Sequence, residues 1–450
     1  MMKLNKIFFI TLLISSSSLA KICFKPIKKN IKIKNQLSVD EAIDLAFTNR
    51  PSQQAFDYSV KAGKEHEWST LSGYFPHIDI QSRVGTTKRS LLLPKKQVFI
   101  EGKQLLLSFD GPIDRFRIAR QETDVIYSQK LLDLDNIRFE VEKSILDLWD
   151  TRKKYDFINS LGISSEKIFN QDKHKNKLGL LDKNIWLTSV AQYAFATSQV
   201  AQYDDELSSV FANIERSLGT NISYNFDVNQ SAMEQFITQN ILAAYEHDSD
   251  YFYEYALNNR KELLEIDHQI LREKYLSNSY AKSYLPEIYL FGQVQYYEFK
   301  PLKRASALAA RASAADSKWI DWRVGLEFNW KFDSFENAFN SESAHATMLA
   351  YQATRLDATE QIKQEVQTTY DALQRSLKNL QAQEAQFSQS DNELILRKKQ
   401  YEIGEISVVE MDQAETSWKQ ARYELITAKK QSATIYRELL AKSGYPESIS

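Results

Sequence analysis

The sequence of 450 residues contains a single cysteine, Cys23, so it cannot form an internal disulfide bond. Glycine and proline are also scarce, with 12 and 8 residues. Because these two residue types are the strongest helix breakers, their scarcity predicts long uninterrupted helices. Past the N-terminus no run of eighteen apolar residues occurs, which excludes transmembrane helices. If the chain enters a membrane, it does so as β-strands.

Residue clusters that would indicate catalysis or metal binding are missing as well. The six histidines are scattered, and no pair stands at metal-ligand spacing on a helix. The sequence contains no glycine-rich phosphate loop and no nucleophile elbow. We therefore predict that the protein is not an enzyme and has no metal site and no cofactor. The near-neutral net charge of −2 argues against a nucleic-acid partner.

The N-terminus has the pattern of a secretory signal peptide. A basic start with Lys3 and Lys6 precedes a short apolar run, Ile7–Ile14, and a stretch of serines then leads to the triplet Ser18-Leu19-Ala20. The run is too short for a membrane anchor, so we predict cleavage after Ala20. Cys23 follows closely, but Ile22 is larger than the residue that normally precedes a lipidated cysteine, so lipid attachment is not expected.

One segment, Ile320–Phe332, alternates apolar and polar residues throughout. Side chains alternate faces along a β-strand, so this segment would have one apolar and one polar face. Its length suits a tilted strand that crosses a bilayer, and its tryptophans suit the aromatic girdles of a membrane barrel. The predicted lipid-facing residues are Trp322, Val324, Leu326, Phe328 and Trp330. By itself the segment also fits a half-buried strand of a soluble sandwich.

The chain consists of two similar halves. Ala46–Arg50 resembles Ala256–Arg260, and Gly179 lies in a context that recurs around Gly404. Each half has an amphipathic helix, two strands and a long helical hairpin whose tip lies near Gly179 or Gly404. An additional segment at 298–318 accounts for the longer second half. The predicted division is a signal peptide (1–20), an N-terminal tail (21–36), a first repeat (37–222, strands near 77–109, hairpin 112–218), a linker (223–249), a second repeat (250–444, strands near 287–332, hairpin 335–443) and a C-terminal tail (445–450).

Heptad spacing along the hairpins, for example from Val366 to Leu380, predicts lateral helix packing, although a soluble antiparallel coiled coil has the same pattern. Two strands per repeat give four per chain, too few to close a membrane barrel. An open sheet edge in lipid would leave backbone groups unpaired. If the strands cross a membrane, several chains therefore share one barrel, and three chains would supply twelve strands.

The order of several short motifs resembles the TolC family of outer-membrane efflux proteins, from about Leu37 to Gly444. The matching segments are Leu37–Ala46, Asn49–Pro51, Gly73–Pro76, Phe109–Gly111, Tyr401–Gly404 and Val408–Ala414. The resemblance implies a mainly α fold with membrane β-strands: a homotrimer with a twelve-stranded barrel in the outer-membrane lipid and a periplasmic α-barrel. It also implies contact with a periplasmic adaptor protein and an inner-membrane pump, and passive export of small toxic compounds or proteins by efflux or type I secretion.

The resemblance also assigns residues at the periplasmic end. Matched through the tip glycines, the pore constriction and its acidic ring fall on Glu410, Asp412 and Gln413, although Glu410 also fits an ordinary solvated helix carboxylate. The candidates for the tip and the adaptor contact are Gly179, Leu180, Tyr401, Gly404 and Ile406. The family's arginine–aspartate latch falls on Ile406 and Ile185, so it is missing here. The alternative function is a structural coiled-coil protein of the envelope without a channel.

Overall fold

The computed structural model describes residues 36–84, 96–109, 111–222, 227–298, 318–330, 334–406 and 408–445. The predicted signal peptide and Cys23 lie outside the described residues, as do Asp110 and most of the additional segment at 298–318. The elements follow in the order β1 (Gln36–Leu37), α1 (Val39–Asn49), α2 (Pro51–Leu71), β2 (His77–Val84), β3 (Lys96–Leu107), α3 (Pro112–Lys177), α4 (Lys183–Leu218), β4 (Asp227–Val228), α5 (Gln230–Ala243), α6 (Ser249–Asn259), α7 (Lys261–Lys282), β5 (Glu287–Glu298), β6 (Lys318–Asn329), α8 (Ser334–Glu402) and α9 (Val408–Ser443).

The single amphipathic helix expected at the start of each repeat is wrong, because the structure has two helices there. α1 begins with a capping box formed by Ser38 and Glu41, and both of its hydrogen bonds are present. The chain then breaks at Arg50, whose backbone is extended (φ −67°, ψ 128°). Pro51 at the first position of α2 explains this break, since the residue before a proline is kept out of the helical region.

The second repeat breaks at the corresponding Arg260 (φ −64°, ψ 121°) although Lys261 replaces the proline. In both repeats, the glycine that ends the last helix packs against this break. A Cβ atom added to Gly219 would lie 3.2 Å from the carbonyl carbon of Asn49, and one added to Gly444 would lie 3.0 Å from that of Asn259. Glycine allows this approach, and its positive φ, without strain, so the end of each repeat packs closely against the bend at its start.

Two helical hairpins, α3–α4 and α8–α9, make up most of the described chain. α3 has 66 residues, which corresponds to roughly 100 Å at 1.5 Å per residue. The predicted heptad stripe is buried along α8, with Val366, Leu373, Leu377 and Leu380 at 0–3% exposure. In the described chain, no helix combines the length and the apolar character that a membrane span requires.

Two hydrophobic cores lie where the helices converge, one formed mainly by the first repeat with α5 and Ala433 of α9, the other mainly by the second repeat. In the first repeat, Leu146 of α3, Ile214 of α4 and Met233 of α5 are fully buried together. In the second repeat, α6, α8 and α9 contribute Phe252, Leu373 and Leu439. The linker predicted at 223–249 therefore contains a packed helix, α5, and the two cores involve the middle of α3 and of α8 and the C-terminal parts of α4 and α9.

Candidate channel surfaces: the sheet and the helical tips

The four long strands form one antiparallel sheet in the order β2–β3–β5–β6. Their bounds lie within two to three residues of the strands predicted from the alternation pattern. The register aligns residues of the two repeats in rows across the sheet, and side chains in one row share a face. One row is Val324–Gly292–Gly102–Ile78, and the adjacent row is Arg323–Gln293–Glu101–Asp79.

The first face of the sheet is apolar and uncovered in the single chain. The five residues predicted to face lipid, from Trp322 to Trp330, are 55–71% exposed. Ile78 and Ile80 extend the surface at the opposite edge, with 69% and 62% exposure. Trp330 follows the end of β6, where its indole N–H donates to the backbone oxygen of Tyr284 (2.9 Å). A continuous apolar surface that extends from one edge of the sheet to the other is typical of a membrane or protein contact.

The second face is polar and carries ion pairs. Lys103 Nζ lies 3.3 Å from a carboxylate oxygen of Glu101 and 2.9 Å from one of Glu327, so the lysine joins β3 to the distant strand β6. The hydroxyl of Tyr289 donates to Glu287 (2.9 Å). Such groups require water or partners, so this face suits an aqueous space. The sheet thus has the two faces that the sequence predicted.

The sheet is open on both sides. β2 and β6 are edge strands, each with one hydrogen-bonded neighbour in the described chain. Natural proteins protect exposed edges because unpaired N–H and C=O groups readily pair with another chain. The open edges and the uncovered apolar face together leave the sheet incomplete as a single chain.

Both hairpin tips adopt the same turn, as predicted. Gly179 and Gly404 are left-handed, with φ of 68° and 77°. Leu180 N–H donates to the Lys175 carbonyl (2.9 Å), and Glu405 N–H donates to the Gln400 carbonyl (2.8 Å). These bonds across five residues are the ones that close a helix with a C-terminal glycine. The two tips are thus equivalent in both repeats.

The predicted tip residues are largely exposed. Leu180 is 74% exposed and Tyr401 is 44% exposed, whereas Ile406 is half-buried. Glu410, Asp412 and Gln413 are exposed in the first turns of α9. Ile406 and Ile185 have aliphatic side chains, which cannot form the polar latch of the family. The assignment of the tip residues to an adaptor contact, and of Glu410, Asp412 and Gln413 to a constriction, stays a prediction.

Sequence reasoning missed the contacts that join the two hairpins through α3 and α9. Glu142 of α3 is 1% exposed and accepts hydrogen bonds from Arg437 (2.7 Å), Arg138 (3.3 Å) and the Tyr445 hydroxyl (2.9 Å). Further along the contact between these two helices, Lys430 of α9 lies 2.6 Å from Asp147 of α3. The spacing within each helix is that of ordinary solvated charges, so no local pattern distinguishes these residues.

Burial and charge change the acidity of this cluster. Burial raises the pKa of the Tyr445 hydroxyl, and the Glu142 carboxylate raises it further. Burial by itself lowers the pKa of Arg437, but the hydrogen bond to Glu142 and the electrostatic attraction of Glu142 and the nearby tyrosines together outweigh it, so the pKa lies above its ordinary value. Both shifts keep the tyrosine neutral and the arginine charged, which preserves the cluster across physiological pH.

Comparison with known proteins gives a family and a fold. Residues 252–444 match the family described as outer membrane efflux protein. No curated protein matches the sequence. Three similar solved structures are CusC (13% identity, 91% of this chain and 92% of that chain covered, TM-score 0.69), the Campylobacter jejuni outer-membrane channel CmeC (12%, 92% and 87%, 0.68) and the outer-membrane protein VceC of Vibrio cholerae (11%, 90% and 96%, 0.65).

The family match over residues 252–444 agrees with the expected family, and the structural matches confirm the expected fold class. Over the matched residues, the family description is that of an efflux protein, in agreement with the expectation that the chain is not an enzyme. At 11–13% identity the structural likeness establishes the fold alone. Substrates and partners therefore depend on further argument from this chain.

Proposed function

Since residues 252–444 of this chain are an outer membrane efflux protein domain and its fold is that of outer-membrane channels, we propose that it forms a passive exit duct. Three copies pool their four-stranded sheets into one barrel of twelve strands. The polar face lines an aqueous bore, and the apolar face contacts lipid. The long helices continue the bore into the periplasm.

The observation that carries this proposal is the sheet with two open edges, one apolar face and one polar face. In lipid each unpaired backbone group costs several kcal/mol, so β2 of one chain has to pair with β6 of the next. A closed ring satisfies these groups, buries no charge in lipid and leaves the Lys103–Glu327 pair in water. Three copies reach the strand number of a small water-filled barrel.

The proposal includes partners at the helical tips. The duct receives its substrate from an inner-membrane pump through a periplasmic adaptor, in an efflux or a type I secretion system. The exposed tip residues Gly179, Leu180, Tyr401, Gly404 and Ile406 are the proposed adaptor contacts. Because a water-filled tube selects weakly, the pump chooses between small toxic compounds and proteins.

The alternative, a structural envelope protein without a channel, explains the helical hairpins equally well. It leaves the sheet unexplained, because a structural sheet in water would not leave large apolar side chains more than half exposed along a whole strand. For this reason the duct is the better-supported function.

Fractionation and conductance test the duct. We expect the protein to remain in the outer membrane after alkaline extraction, to purify in detergent as a trimer and to produce ion-conducting steps in planar bilayers. The heat-unfolded protein, added at the same concentration, is the control. A monomer that is released by alkali and conducts no current would contradict the proposal.

Glu410→Ala tests the proposed constriction. Three Glu410 carboxylates would form a ring that attracts cations, so we expect the ratio of cation to anion permeability to fall by roughly twofold or more. Reversal potentials in a salt gradient measure this ratio. The control is Glu415→Ala, which removes a carboxylate paired with Lys419 (2.9 Å) on the same helix and should change the ratio little. Equal ratios in Glu410→Ala and the unchanged protein would remove Glu410 from the ring.

A further inference from the structure

A cavity of about 310 Å³ lies between α3 and α9, beyond the polar contacts that join the two hairpins. Its residues recur at helical spacing on both helices, so the cavity is a groove between two packed elements. The lining residues that matter for binding are Lys153, Phe157, Ser160, Trp418, Arg422 and Tyr423. The volume is at the lower end of the range for small-molecule sites, roughly 300–1,000 Å³.

Aromatic rings from both helices form the apolar part of the cavity. The rings of Phe157 and Tyr423 are parallel within 2°, with centroids 6.0 Å apart. The Trp418 indole N–H donates to Asp391 (2.8 Å), which fixes the orientation of that ring. Fixed rings offer planar faces and edges to a flat ligand, because aromatic pairs prefer offset-stacked or edge-to-face arrangements.

The charged groups of the cavity are predominantly cationic. Arg422 lies 5.5 Å over the Trp418 ring, and Lys153 donates to the amide oxygen of Gln230 (3.0 Å). Within the described ranges, neither cation has a carboxylate partner. Lys419 also lines the cavity, but its charge is neutralised by Glu415, so the two residues are left out of the charge sum. Asp156 is the one acidic lining residue, so two unpaired cations and one carboxylate leave the cavity with a net charge of about +1.

We propose that this cavity binds a planar aromatic compound with a single negative charge, such as an aromatic carboxylate. The rings would contact the aromatic part, while Arg422 and Lys153 would hold the carboxylate. Charge-assisted hydrogen bonds of this kind are about twice as strong as neutral ones. Because the walls come from both repeats, the ligand would join the two hairpins. The site does not depend on the duct function.

The full mature protein in detergent tests this site with 2-naphthoate as the probe. Tryptophan is replaced biosynthetically by 5-fluorotryptophan, and the Trp418 resonance is assigned by its loss in Trp418→Phe. We expect 2-naphthoate to shift this ¹⁹F resonance with saturation in the millimolar range or below. Neutral 2-naphthamide should bind roughly tenfold more weakly, since it lacks the charge that the cations recognise.

Variants separate specific binding from general attraction to a basic surface. Arg422→Gln and Lys153→Gln should each weaken 2-naphthoate binding roughly fivefold to tenfold. The control is Lys398→Gln, which removes an exposed cation of α8 and should leave binding unchanged. Circular dichroism and oligomer size confirm that each variant is folded. Equal affinity for the amide, an equal loss in Lys398→Gln, or no shift at 10 mM probe would overturn the proposal.

Discussion

Glu142→Gln is expected to destabilise the helical part of the protein by about 3–5 kcal/mol, because it leaves buried cations without their counter-charge. Glu142 is almost fully buried and faces two guanidinium groups, those of Arg437 and Arg138. A glutamine has the same shape, but its amide nitrogen would point donor hydrogens at one of them. The result is an unpaired charge and a donor facing a donor, both in a site that excludes water.

Melting of the detergent-solubilised protein, followed by circular dichroism, measures this effect. The control is Glu438→Gln, at the residue next to Arg437. This variant breaks a solvent-accessible ion pair with Lys442 and should lower the stability by less than about 1 kcal/mol. The double variant Glu142→Met with Arg437→Met should recover part of the lost stability, since it removes the more deeply buried of the two uncompensated charges and leaves only that of Arg138. A melting temperature equal to that of Glu438→Gln would show that the cluster contributes little.

Val324→Arg is expected to abolish most assembly in the outer membrane. Val324 lies near the middle of β6 on the apolar face, and an arginine at the bilayer midplane costs roughly 2–4 kcal/mol. In the proposed trimer this penalty occurs three times, so its effect on assembly is about threefold larger in free energy. The quantity of trimer in the outer-membrane fraction measures it directly.

Gln81→Arg provides the matched control for this variant. Gln81 also lies on an edge strand, but its register places it in the row with Phe99, Gln295 and Asp321 on the polar face. An arginine there would meet water and nearby carboxylates, so assembly should stay close to the normal level. If the two variants assemble equally well, the face assigned to lipid is wrong.

The strands were predictable from the sequence because the pattern that indicates a strand lies within the strand itself. Alternation of apolar and polar residues between Ile320 and Phe332 needs no knowledge of the rest of the chain, and the two faces of the sheet confirm it as far as Trp330, the last of these residues that the structure describes. The hairpin tips were predictable for the same reason, since a glycine past a helix end satisfies the last carbonyls in a left-handed turn. The residues proposed for the constriction depend on family resemblance and await their tests.

The breaks and the joining contacts were not predictable because their partners are far apart in sequence. Lys261 gives no indication of a helix break at Arg260, and the residue that packs against this break, Gly444, lies nearly two hundred residues later. Glu142 and Arg437 have the spacing of solvated helix charges, and the cavity between Phe157 and Tyr423 exists only where their helices meet.

The sequence by itself determined the repeat, the long helices, the two-faced strands and the tips, because periodicity and glycine conformation act within a few residues. The tertiary structure alone decided which charges are buried, where helices bend and where a cavity remains. Desolvation and close packing depend on which surfaces meet, and no stretch of sequence contains that information.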